Sequence, residues 1–296
     1  MKPQERTGIF YTIAAFGFWG LAPIYFKQVA TVAPTEILAH RILWSVVVLV
    51  IFLSLGKQFG QIKPLFANPA KLKWLMLSSL LVSSNWLIFI YAVSVDKILE
   101  ASLGYFINPL ISMLFATLFF HETLSRPQSI AIGIALLAVV VQVITLGSLP
   151  LISLGLAITF ALYGAVRKQV HIASIPGLFV ETLLILPLGL GYLAYLWRTG
   201  QIAFGAGDST LTLMLALAGI VTVLPLLWFN AGTIRLKLGT IGMLQYIGPS
   251  VAFLVAVFLY GEEINSAKLF TFILIWIALA IYSYDLLKGH LQKAVS

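Results

Sequence analysis

The sequence contains no cysteine. That excludes disulfide scaffolds, thiolate zinc sites, iron–sulfur clusters and cysteine nucleophiles together, and leaves the redox compartment unread. Charge is almost as scarce: Asp, Glu, Lys and Arg make up 9% of the 296 residues, against about 25% in an ordinary soluble domain. So few polar side chains cannot cover the outside of a water-soluble fold of this size, so lipid is the solvent for most of the chain. Short catalytic signatures are missing as well. There is no H-E-x-x-H, no G-x-S-x-G and no Walker A sequence, and the four histidines (His40, His121, His171, His290) lie far apart. These gaps weigh against an intramembrane enzyme acting on lipid-soluble substrates and against transport driven by the chain's own nucleotide hydrolysis. No metal site and no cofactor is expected.

What is present is apolar: 60% of the residues are hydrophobic and the mean hydropathy is +1.02. Crossing a ~30 Å hydrocarbon core takes roughly 20 helical residues. Ten stretches meet that length, approximately 8–30, 34–55, 73–95, 100–120, 128–147, 150–170, 175–197, 210–231, 239–260 and 266–287. The basic start Met1–Arg6 followed by an apolar run resembles a signal peptide, but the run is too long for an h-region and is read as an uncleaved first span.

The net charge of +8 does not point to nucleic acid, because the basic residues are scattered between apolar runs instead of gathered on one face. They report topology. With both termini cytoplasmic, the inner side holds thirteen of them: Lys2, Arg6, Lys57, Lys63, Lys71, Lys73, Arg126, Arg167, Lys168, Arg235, Lys237, Lys288 and Lys293. The outer side holds four, Lys27, Lys97, Arg198 and Lys268, and Arg41 falls within a span. This positive-inside asymmetry requires all ten spans.

The chain resembles itself. Tyr105-Phe106-Ile107-Asn108-Pro109 and Gln245-Tyr246-Ile247-Gly248-Pro249 share an aromatic-Ile-small-Pro pattern at an offset of 140, and thirteen residues after each Pro stands a glutamate, Glu122 and Glu262. Trp19-Gly20 parallels Tyr163-Gly164 at an offset of 144. The expected fold is an all-α membrane protein of ten transmembrane helices in two five-helix repeats, 1–147 and 148–296. Five spans per repeat is an odd number, so the repeats are inverted, the recurrent plan of secondary transporters.

Two copies of Pro, apolar helix and terminal Glu in a ten-span chain resemble the EamA family of the drug/metabolite transporter superfamily over the whole chain. Gly8-Ile9-Phe10-Tyr11, Phe18-Trp19-Gly20-Leu21 and Glu36-Ile37-Leu38-Ala39-His40-Arg41 are similar to its RarD branch. The second motif, Gly261-Glu262-Glu263, keeps the family's Gly-Glu form, whereas the first reads His121-Glu122. The resemblance implies export or exchange of small organic molecules across a bacterial inner membrane, and RarD proteins carry a name linked to chloramphenicol sensitivity. The expected partners are a small organic substrate and the bilayer, with the oligomeric state open.

Ionisable groups at membrane depth are costly and need a reason. His40, Arg41 and Glu181 are the clearest cases, expected to line a central cavity with the first two near its outer part and Glu181 near its inner part, roughly 12 Å apart along the normal. The bland alternative pairs Arg41 with Glu36 and satisfies Glu181 with hydroxyls such as Thr182. Glu181 is also the candidate proton carrier, because low dielectric favours a protonated carboxyl. Trp19, Asn85, Trp86, Tyr91 and Tyr105 are candidates for an aromatic and amide pocket, together with Asn108, Trp228, Asn230, Gln245 and Tyr246. Each alone is equally readable as an interface anchor or interhelical glue. Pro109 and Pro249 are candidate hinges, since proline frees carbonyls that lipid cannot satisfy. Glu122 and Glu262 are read as structural, and Ser125-Arg126-Pro127-Gln128 as a capping box. A channel or a non-transporting membrane sensor remains the alternative of another class.

Overall fold

Lipid offers the backbone no hydrogen-bond partners, so an apolar chain must satisfy its amides within helices. The computed structural model describes residues 3–94, 98–146, 151–261 and 266–295, and among these every regular element is helical. In order they are α1 (Pro3–Gln28), α2 (Pro34–Leu55), α3 (Ile62–Ala67), α4 (Pro69–Ser94), α5 (Ile98–Phe120) and α6 (Arg126–Leu146). The second half adds α7 (Leu151–Val170), α8 (Ser174–Arg198), α9 (Ser209–Thr233), α10 (Leu238–Leu244), α11 (Ile247–Phe258) and α12 (Ser266–Val295). Among the described residues nine spans are long and apolar enough to cross a membrane, α10 and α11 together forming one of them, and 104–120 of α5 is a further apolar helix. The ten expected spans are present. The short α3 was not foreseen; it follows a 3-10 turn, Phe59–Gln61, in the link between α2 and α4.

Helix starts follow local chemistry. Pro34 opens α2, where its missing N–H costs nothing. Asp208 caps α9 by accepting from the amides of Thr210 and Leu211. Ser125 and Gln128 form the expected reciprocal box at α6: Gln128 N–H donates to Ser125 Oγ at 3.3 Å and Ser125 N–H to Gln128 Oε1 at 3.2 Å.

The principal helix packings are preserved when each helix is exchanged for its counterpart in the other half: α1 with α7, α2 with α8, α4 with α9, α5 with α10 and α11, α6 with α12. Thus α1 packs on α9 as α7 does on α4, α1 on α11 as α7 on α5, and α2 on α9 as α8 on α4. The pairs α2–α8, α5–α10 and α6–α12 map onto themselves. All of them join one half of the chain to the other, so the core is shared. Close approach at two counterpart crossings depends on glycine. A Cβ on Gly20 of α1 would come 2.7 Å from the Gly248 carbonyl of α11, and one on Gly104 of α5 would come 3.1 Å from the Ser153 carbonyl of α7.

The expected proline positions differ in effect. Pro109 lies inside an uninterrupted α5. The ninth span is instead divided at Gln245–Tyr246, and Pro249 is the third residue of α11, where a helix tolerates it. Tyr246, fully buried, donates from its hydroxyl to the Phe106 carbonyl at 3.1 Å, in the turn preceding Pro109.

Candidate functional site

Two polar centres lie at different heights along α9. Thr222 marks one and Asn230 the other; eight residues separate them, about 12 Å of helix.

At the Asn230 centre, Glu181 of α8 is 1% exposed. Its carboxylate pairs with the Arg167 guanidinium of α7 at 3.1 Å, accepts from Ser78 Oγ of α4 at 2.5 Å and from the Tyr163 hydroxyl at 3.3 Å. Tyr163 is held in turn by Asn230, whose amide donates to the tyrosine oxygen at 2.9 Å. Thr182 is not among these donors: its hydroxyl turns back to the Leu178 carbonyl. Arg167 is as buried as Glu181, and its guanidinium fits only because residue 177 is glycine; a Cβ there would lie 3.0 Å from Arg167 Cζ. Arg167 therefore does not belong to the solvated inner-side charges among which sequence reasoning placed it. Tyr163 and Arg167 stand four apart on one helix face, so both reach the Glu181 carboxylate.

At the Thr222 centre, Arg41 is partly accessible. Its Nε donates to Thr222 Oγ1 at 3.0 Å, and its Cζ lies 4.8 Å from the Trp86 ring centroid and 5.8 Å from that of Phe26. Tyr25 and Tyr105 stand close enough to interact electrostatically with it. Among the described residues no carboxylate lies within 4.0 Å of the guanidinium. Pairing with Glu36 does not occur, because that carboxylate is occupied elsewhere: Glu36 Oε1 accepts from the amides of Ala203 at 2.7 Å and Phe204 at 3.3 Å, fastening the α8–α9 loop. His40 belongs with Glu36, not with Arg41. It stacks on Phe204 at 4.9 Å, is 2% exposed, and leaves both ring nitrogens without a hydrogen bond among the described residues.

Between the two centres lies an aromatic layer. Trp19 contacts Phe160 at 5.6 Å and Phe229 at 6.0 Å, and Phe229 stacks on Tyr163 at 5.9 Å. Of the remaining sequence candidates, Trp86 joins Arg41 and Trp228 packs on Phe18. Asn85 fastens α4 to α7 by donating to the Leu156 carbonyl and Thr159 Oγ1. Asn108, Ser112 and Gln245 form a chain between α5 and the break after α10. Tyr91 is exposed.

At the end of the bundle where α1 begins, a cavity of about 460 Å³ is bordered by Glu5, Glu122, Lys168, Arg235, Lys237 and Asp285, among others. None of the sequence candidates borders it. Glu122 reaches from α5 to cap α10, accepting from the amides of Leu238 at 2.7 Å and Gly239 at 3.0 Å, with Lys168 Nζ 3.8 Å away. His121 stands where the second repeat has Gly261, and both adopt left-handed backbone, φ 50 and 65. Glu262 and Glu263 lie outside the described residues.

Residues 6–144 match the EamA-like transporter family. "Protein RarD" of Salmonella typhi is 45% identical over 290 residues, covering 98% of this chain and 99% of that protein. An "Uncharacterized transporter" of Vibrio cholerae serotype O1 is 43% identical, covering 99% of this chain and 98% of its own. A crystal structure matches with a TM-score of 0.71 over 94% of this chain and 97% of the other at 16% identity, a likeness of fold alone. The chain is a multi-pass membrane transporter belonging to the EamA-like family of the drug/metabolite transporter superfamily, in its RarD branch.

Proposed function

We propose that the protein is a secondary-active transporter of small organic molecules, an exporter or exchanger working by alternating access in a bacterial inner membrane with both termini cytoplasmic. The observation that carries this is the unequal state of the two centres on α9. The Glu181–Arg167 centre is sealed at 1% exposure, while Arg41 on the other side of the aromatic layer is partly accessible. A substrate site open to one side and closed to the other is what alternating access requires, and helix packings that interchange between the halves supply two related conformations. In this reading residues 1–147 and 148–296 are the two repeats, and Pro109 and the break before Pro249 are the hinges.

Glu181 is the proposed proton carrier. Protonation removes the charge that compensates Arg167, and an uncompensated cation at this depth drives rearrangement of the seal. The test is uptake into proteoliposomes of a panel of amino acids, nucleosides and chloramphenicol-like drugs, with and without a pH gradient. Saturable uptake that responds to the gradient in the wild type, and no longer responds in Glu181→Gln, is the expected outcome. Saturable uptake with no response to the gradient in either protein removes the proton carrier from the reading while leaving transport intact.

A further inference from the structure

The guanidinium of Arg41 is incompletely partnered in a way that specifies a ligand. Arginine carries five N–H donors in a planar fork and no acceptor. One of them, on Nε, is used by Thr222; among the described residues neither Nη atom donates to a protein acceptor, and no carboxylate is within pairing distance. Arg41 is only partly buried and neither Nη atom is fully enclosed, so the free edge of the fork is reachable. A permanent cation in low dielectric with one edge satisfied and the other open calls for an anion with paired acceptor oxygens. The surroundings fix its body: Trp86 and Phe26 offer ring faces beside the guanidinium, with Tyr25 and Tyr105 nearby.

Building on the transporter reading, we infer that the substrate is an aromatic or similarly flat apolar monocarboxylate whose carboxylate docks on the free edge of Arg41 and whose body stacks among Trp86, Phe26, Tyr25 and Tyr105. A monoanion fits better than a phosphate ester because, among the described residues, this centre presents a single positive charge: Lys27, the preceding basic residue in the chain, lies over the Tyr260 ring. Neutralising one charge with one charge minimises the cost of carrying the pair through the membrane.

Trp86 provides the readout. The purified full-length protein in detergent is titrated with benzoate, indole-3-carboxylate, their amides and phenyl phosphate, following tryptophan fluorescence and thermal unfolding. The expected result is saturable quenching and a raised melting midpoint with the carboxylates, binding at least about tenfold tighter than the matched amides or phenyl phosphate, a factor worth about 1.4 kcal/mol. Arg41→Gln brings the acid-to-amide ratio to about one, and Arg41→Lys keeps part of the preference while weakening binding, since an ammonium lacks the fork. The wild-type comparison of acid with amide stands even where a variant fails to fold. Equal binding of acid and amide by the wild type, no binding of any carboxylate, or an undiminished preference in a folded Arg41→Gln protein overturns the inference. Proteoliposome uptake separates it from the broader reading. Uptake of neutral compounds only keeps the transporter and discards the carboxylate, whereas Arg41-dependent binding of carboxylates with no uptake of any compound keeps the subsite and discards transport.

Discussion

At the scale of single residues, the cost of charge in lipid decides what is informative. Glu181 and Arg41 were both legible in the sequence because nothing but a partner or a function keeps such groups at that depth. Arg167 was not, since it sits beside Lys168 near a helix end and there looks like one more inner-side charge. Its partnership with Glu181 predicts a specific pattern. Glu181→Gln leaves Arg167 buried without its counter-charge and lowers stability by about 3–5 kcal/mol, read as the midpoint of thermal unfolding in detergent. Replacing both, Glu181→Gln with Arg167→Met, restores most of that stability and leaves uptake unresponsive to the pH gradient. A double variant as unstable as the single one would show that the destabilisation has another origin. Gly177→Ala pushes against the Arg167 guanidinium and is expected to reproduce the loss of stability in milder form.

Helix ends carry the next layer of information. The repeated glutamate was correctly read as structural in the case of Glu122, but its partner is not its own helix end: it caps α10, contributed by the opposite half. Glu122→Ala therefore lowers stability by about 1 kcal/mol, the usual value of an N-terminal cap. The same replacement at an unpaired surface acid, measured in the same detergent, should do nothing. His121 explains itself by backbone geometry. It occupies the left-handed position that follows α5, which costs an L-residue roughly 1–2 kcal/mol, and the Glu122 amide closes the turn on the Ala116 carbonyl at 3.1 Å. Gly removes that strain but loses roughly 0.5–1 kcal/mol through its more flexible unfolded chain, so His121→Gly is expected to stabilise by at most about 1.5 kcal/mol. A fall in the unfolding midpoint would mean the imidazole makes a contribution beyond its backbone. The division of the ninth span at Gln245–Tyr246 was not legible, because Pro249 pointed to a kink four residues later.

For the molecule as a whole, the shared core makes two predictions. Fragments 1–147 and 148–296 expressed singly are degraded, since each leaves the partner faces of nearly all its helices bare, while co-expression restores a folded, transporting complex. Stable accumulation of either fragment alone would contradict the interleaved packing. The absence of native cysteine makes topology directly testable: Lys57→Cys is labelled by a membrane-impermeant maleimide only from the cytoplasmic side and Arg198→Cys only from the outside, both positions being exposed. Labelling of both from one side would break the ten-span arrangement, and labelling of each from the opposite side would reverse it.

By itself the sequence determined the class, the number of spans and the family, and it supplied the reading of two inverted repeats. Those depend on composition, run length and periodic motifs, which are properties of the chain read in order. Only the tertiary structure decided which charges meet. Arg41 facing Trp86 and Thr222, Glu181 joined to Arg167, and Glu122 capping α10 are contacts across helices far apart in sequence, and in a bundle where lipid and protein interior are equally apolar, no hydropathy pattern reveals which face of a helix turns inward.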